Sequence, residues 1–204
     1  GDVYKRQATV SVTDNSGFGA STKFVAGTKD AKIAKFLVNA GSAAPIKVKT
    51  LKFEITWLAA NEYSKLTNLK LKVDGTQVST TKDAILGSAN TKAYVTFDNI
   101  NLDIAKSGQK TFELYADVAT DITATAAFTV TILSNANGSN ITDNNSVSTG
   151  YAGSAFTATN VITGGSLTVT TDGNTPNEAI LVANTNDVEV AKFKLEATDD
   201  TMEV

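Results

Sequence analysis

Residues 25–40, VAGTKDAKIAKFLVNA, return at residues 182–197 as VANTNDVEVAKFKLEA, with eight of the sixteen positions identical. Unrelated sequence would give about one identity in such a window, and repetition at a fixed offset is the signature of a tandem array. The flanking pairs Val12/Val169 and Thr13/Thr170 keep the same offset of 157. The chain therefore reads as one whole module, expected over residues 8–164, followed by the truncated start of a second copy over residues 165–204. Residues 1–7 stand apart: Asp2 to Gln7, DVYKRQ, resemble the translation of a sequencing-library adapter and are expected to be non-native.

The repeated block also shows which side of the chain packs. Ala34, Phe36, Val38 and Ala40 share one face of a strand and reappear as Ala191, Phe193, Leu195 and Ala197, whereas Leu37 on the opposite face becomes Lys194. An apolar residue exchanged for a charge faces water, so Phe36 and Phe193 are each expected to sink between facing sheets. Period-two alternation of this kind continues through most of the sequence and reads as half-buried antiparallel strands. It slips once, between Ile46/Val48 and Leu51/Phe53/Ile55/Trp57, which predicts a β-bulge near Thr50 that keeps Lys47, Lys49, Lys52 and Glu54 in solvent. A short helical turn is expected in LAANEYSKL, and a tight hairpin turn at Asp74-Gly75. Further strands are expected over 93–97, 110–118 and 124–133, the second with Phe112, Leu114, Ala116 and Val118 inward, and a long polar loop over 135–150. Short strands separated by Gly, Asn and Asp turns favour a two-layer sandwich of seven to nine strands.

Composition narrows the chemistry. There is no cysteine and no histidine, which removes disulfides, thiolate nucleophiles, imidazole bases and most strong transition-metal ligand sets. The formal net charge is -3 and Arg6 is the sole arginine, so bidentate recognition of bases and phosphates lacks its usual side chain and nucleic acid is not an expected partner. No stretch approaches the roughly 18 consecutive apolar residues of a membrane span.

The opening SVTD/TVTT strand, the VAGTKDAKIAKF and VANTNDVEVAKF blocks, the LTNLKLKVDG hairpin and the KSGQKTFELYADV strand followed by ITATAAFTVTIL together resemble the immunoglobulin-like repeats of large bacterial cell-surface and S-layer-type proteins. That resemblance implies an all-β, antiparallel immunoglobulin-like sandwich in a secreted or surface-exposed protein. Its role would be that of a non-enzymatic spacer, coat or adhesive element. The partners implied are neighbouring repeats, other subunits or surface polysaccharide. Two alternatives are a filament subunit that exchanges strands and a carbohydrate-binding module of a larger enzyme.

Candidate sites are few, and no catalytic residue, cofactor or resident metal is assigned. Ser64 and Lys65 are adjacent but read as surface. Asp14, Asp74 and Asp172 sit at turns, where backbone hydrogen bonding explains them, so no carboxylate pair for glycoside hydrolysis is evident. Asn135, Asn137, Asp143 and Asn144 supply oxygens that calcium prefers, but one charge and no EF-hand spacing leave a plain polar loop as the better reading. Asn137, Asn140 and Asn144 begin Asn-X-Ser/Thr triplets. Trp57, Tyr63 and Tyr151 are the candidate sugar platform, although Trp57 shares the phase of Phe53 and Ile55 and reads as core. Lys47, Lys49, Lys52, Lys70 and Lys72 read as solvated strand sides rather than as a cationic face for an anionic polysaccharide.

Overall fold

The structure is a computed structural model that describes residues 8–14, 23–57, 62–88, 91–122, 127–143, 147–163, 166–175, 183–184 and 186–198. The chain divides into two compact units, residues 1–163 and 164–204. In the first, the strands are β1 (Val10–Asp14), β2 (Lys23–Val25), β3 (Ala31–Ala40), β4 (Ile46–Trp57), β5 (Leu66–Val73), β6 (Thr76–Gln77), β7 (Ile85–Leu86), β8 (Lys92–Phe97), β9 (Leu102–Ile104), β10 (Gln109–Val118), β11 (Ala127–Ile132), β12 (Asn140–Asp143) and β13 (Ser154–Thr163). One sheet has the order β1-β3-β10-β5-β6; the other has the order β2-β13-β11-β4-β8-β7, with β9 and β12 also paired to β4. The result is an immunoglobulin-like β-sandwich. The opening segment is split between its layers, β1 antiparallel to β3 in one sheet and β2 parallel to β13 in the other.

The face assignments read from the repeated block hold in β3, where Ala34, Phe36, Val38 and Ala40 are buried. Phe36 links the two layers. Its ring stacks on Phe112 of the same sheet with centroids 5.5 Å apart and meets Phe53 of the facing sheet at 5.8 Å. Phe97 then meets Phe53 edge-on at 5.8 Å, so four phenylalanines form the centre of a core that excludes water by apolar area and close packing.

The phase slip in β4 is a β-bulge. Opposite β12, Asn140 pairs with Thr50 and the next residue, Ile141, pairs with Val48, leaving Lys49 as the extra residue. Ile46 and Val48 on one side of it and Leu51, Phe53 and Ile55 on the other all face the core. The pairing along β4 changes hands near this level: β9 pairs before the bulge and β12 across it, whereas β8 and β11 pair only after it. These changes of partner, together with the two-residue strands β6 and β7, explain why thirteen segments appear among the described residues of this unit where seven to nine strands were expected. The expected helical turn is a 3-10 turn over Glu62–Lys65, with residues 58–61 of that segment outside the described residues.

The polar segment 135–150 is more ordered than a loop. It contains a 3-10 turn (Asn135–Asn137) and β12, whose Ile141 is fully buried. The expectation of a long polar loop there is corrected, because Ile141, between Asn140 and Thr142, docks a four-residue strand beside the bulge.

Asp74 and Gly75 adopt φ of 47° and 84°, the positive pair that a type I′ turn requires. A Cβ on Gly75 would meet nothing within 4 Å, so Gly75→Ala is expected to cost about 1 kcal/mol through backbone strain alone. Urea denaturation at unchanged m-value checks this.

The second unit has two described strands, β14 (Ser166–Thr171) and β15 (Phe193–Thr198), paired antiparallel. Leu167 lies opposite Ala197, Val169 opposite Leu195 and Thr171 opposite Phe193 on one face; Thr168/Glu196 and Thr170/Lys194 form the other. The side chain of Phe193 is 66% exposed, so the expectation that it sinks between sheets is not met: among the described residues of this unit no second layer covers the pair of strands.

Candidate functional site

The outer faces of the sandwich carry its polar chemistry, and strand register decides which groups meet there. In β4 and β8, Glu54 lies directly opposite Tyr94, Thr56 opposite Lys92, and Lys52 opposite Thr96. Cross-strand neighbours on one face interact: the Glu54 carboxylate accepts from Lys92 Nζ at 2.8 Å and Thr56 Oγ1 at 3.2 Å, while Lys52 Nζ sits 5.1 Å from the centre of the Tyr94 ring. Burial raises the Glu54 pKa, but Lys92, Tyr94 and Thr56 together outweigh it and leave the carboxyl below its ordinary value. Next to this cluster lies an open pocket of about 470 Å³ lined by Lys52, Lys82, Asp83, Ile85, Tyr94 and Asp98 among others. Its charged groups are already partnered: Lys82 Nζ lies 3.2 Å from Asp98, and Asp83 accepts the Asn68 N–H at 3.0 Å. What it leaves for a ligand is an aromatic ring beside Ile85, which is 74% exposed.

The other sheet repeats the arrangement. Glu113 accepts from Lys32 Nζ at 2.5 Å and from the Tyr115 hydroxyl at 3.2 Å, and Lys72 Nζ is 4.0 Å from the Tyr115 ring centre. Burial and the Glu113 charge push the Tyr115 hydroxyl pKa up. Glu54 and Glu113 belong to different sheets with the core between them, so they cannot flank one glycosidic bond. Lys65, adjacent to Ser64, forms an ion pair with Asp121. Asp74 accepts the Thr111 N–H and pairs with Lys110, and Asp172 accepts the Asn174 N–H, as turn acids do; the side chain of Asp14 lies outside the described residues.

The structure does not bring the sequence-derived binding groups together. Trp57 is buried with its ring 5.0 Å from Phe128, and Tyr151 is buried too; the side chain of Tyr63 lies outside the described residues. Lys47 pairs with Asp103 and Lys52 covers Tyr94 on one sheet, while Lys70 pairs with Asp30 and Lys72 covers Tyr115 on the other. The lysines therefore divide between opposite faces.

The asparagine-rich segment turns its groups inward on its own backbone. Asn135 accepts the Ile141 N–H at 3.0 Å and donates to the Ile141 carbonyl at 2.8 Å and to Ser148 Oγ at 2.9 Å, which closes β12 against its return segment. Asp143 accepts the Val147 N–H at 2.9 Å. Asn137 and Asn140 are exposed, and Asn144 lies outside the described residues. Among the described residues no three acidic side chains gather as a metal site would need.

The two Glu–Lys–Tyr clusters are what sequence reasoning missed. The available signal was an aromatic residue at an outward position of a strand, Tyr94 between Ala93 and Val95; which cross-strand groups it meets depends on register.

No protein-family model matches the chain, and no curated protein matches it. Among solved structures the chain is similar to part of the CaDoc0917–CaCohA2 complex (17% identity, 69% of this chain and 90% of that chain, TM-score 0.32). It is also similar to the pilus backbone from Streptococcus pneumoniae (13% identity, 62% of this chain and 51% of that chain, TM-score 0.29). A third is a family 35 carbohydrate binding module from an environmental isolate (21% identity, 67% of this chain and 88% of that chain, TM-score 0.28). The chain spans about half the length of the pilus backbone. The sandwich assignment rests on the strand pairings above. No helix among the described residues is long and apolar enough to cross a membrane.

Proposed function

We propose that this chain is a non-enzymatic structural or adhesive repeat module of a secreted or cell-surface protein, acting as a spacer or coat element. The observation that carries this reading is a coincidence of registers. Every pair between β1 and β3, from Val10/Ala40 to Asp14/Phe36, recurs between β14 and β15 when 157 is added to both residue numbers, from Leu167/Ala197 to Thr171/Phe193. Local sequence similarity fixes neither a pairing partner nor its register, so the agreement supports duplication of the whole supersecondary unit.

The topology of the first unit suits a load-bearing role. β2 lies near its start and β13 at its end, and the two are parallel, with Lys23 opposite Val161 and Val25 opposite Thr163. Tension on the two ends of the unit draws these strands past one another along their length. The hydrogen bonds between them, each worth about 1 kcal/mol net, are then loaded together in shear rather than opened in turn. Single-molecule stretching of the chain is expected to show one force peak followed by a length gain of roughly 50 nm, the contour released by residues 8–163. Smooth extension without a peak would remove the spacer reading.

A further inference from the structure

In the first unit, the edge of β3 that faces away from β1 is closed by β10, which runs antiparallel with Phe112 opposite Phe36 and Glu113 opposite Lys35. In the second unit β15 stands where β3 does in every pair with β14, yet among the described residues its other edge has no strand beside it. The face built from Leu167, Val169, Phe193 and Leu195 is correspondingly open, each side chain between 43% and 66% exposed, while the reverse face is Thr168, Thr170, Lys194 and Glu196. Two strands with one apolar face are marginal by themselves, and a bare edge is a template for another strand.

We propose that the free edge of β15 takes an antiparallel strand with the sequence pattern of β10, contributed by a further copy of this module, with its phenylalanine opposite Phe193. This inference rests on the repeat reading. Three features of the first unit specify the fit. The Phe36 and Phe112 rings stack at 5.5 Å and 12°, and Phe193 presents the equivalent ring. Lys35, opposite Glu113, has its counterpart in Lys192, so the same register again sets a lysine opposite the glutamate, although Lys32, which pairs with Glu113 in the first unit, corresponds to Glu189, itself paired with Lys192. The edge then gains a full ladder of backbone bonds, the mode by which extended segments join sheets.

The probe is a peptide of residues 109–118, QKTFELYADV, added to the whole chain and followed by amide hydrogen exchange. At saturation the amides of residues 193–198 are expected to exchange at least about ten-fold more slowly. The same peptide carrying Phe112→Lys, or the chain carrying Phe193→Lys, should give no slowing. Unchanged exchange in this segment with the parent peptide, or protection at β14 instead, overturns the proposal. So does protection that grows with chain concentration and ignores the peptide, which would assign the edge to self-association. The repeat reading is judged separately by NMR contacts between Val169 and Leu195 in the chain alone. Their absence defeats that reading, whereas their presence with an inert peptide defeats the β10-type strand alone.

Discussion

Phe36→Ala is expected to lower the unfolding free energy of the first unit by about 3–5 kcal/mol, and the same change at the equivalent position, Phe193→Ala, by no more than about 0.5 kcal/mol. Phe36 is fully buried and touches rings of both sheets. Its removal forfeits the transfer free energy of the ring, leaves a cavity that ten-residue strands cannot collapse around, and abolishes two aromatic pairs worth about 0.5–1.5 kcal/mol each. Phe193 occupies the same register position with two thirds of its surface in water, so truncation there removes little that folding had gained. Urea denaturation of both variants, followed by the fluorescence of Trp57 in the core of the first unit, measures the contrast. Parent-like melting of Phe36→Ala would sink the assignment of the shared face as the core, and equal losses at the two sites would mean that the second unit is covered in solution.

The features legible in the sequence are those that depend on one strand at a time. Inward Ala34, Phe36, Val38 and Ala40 followed from substitution between the two copies, and the bulge at Lys49 followed from a phase slip inside β4. Features that depend on which strands become neighbours were hidden. Alternation puts Lys47, Lys52, Lys70 and Lys72 outside but does not say that they divide between two sheets. It places Tyr94 outward but not beside Glu54 and Lys52, a matter of register. Ile141 looked like part of a polar loop because the bond pattern that docks it comes from Asn135, six residues earlier. Asp117, which alternation sets on the solvent side between Ala116 and Val118, is buried because β10 shifts register against both of its neighbours in this region.

Asp117→Ala is accordingly expected to cost about 2–3 kcal/mol, near the upper range for hydrogen bonds to a charged group. One carboxylate oxygen accepts the Asp30 N–H at 3.0 Å and the other the Asn68 side-chain amide at 2.9 Å, with Lys29 Nζ at 3.4 Å. Asp30 and Asn68 both have positive φ, 49° and 51°, a conformation that non-glycine residues hold only when something else fixes them. A single side chain thus secures the entry to β3 and a kink in β5. Asp117→Asn keeps one acceptor but turns a donor toward a donor, so its loss should be smaller yet measurable. The Asp30 N–H first, then Asn68 and Lys29, hold the Asp117 carboxyl below its ordinary value. A carboxylate whose folded pKa is depressed contributes its stabilisation above the unfolded value, about 3.9, and loses it as pH falls through the folded one. The gap between the parent and Asp117→Ala should therefore stay constant from neutral pH to about pH 5 and narrow below about pH 4, with no histidine in the chain to disturb the plateau. A gap that persists undiminished at pH 2 would show that shape rather than charge holds the two strained residues in place.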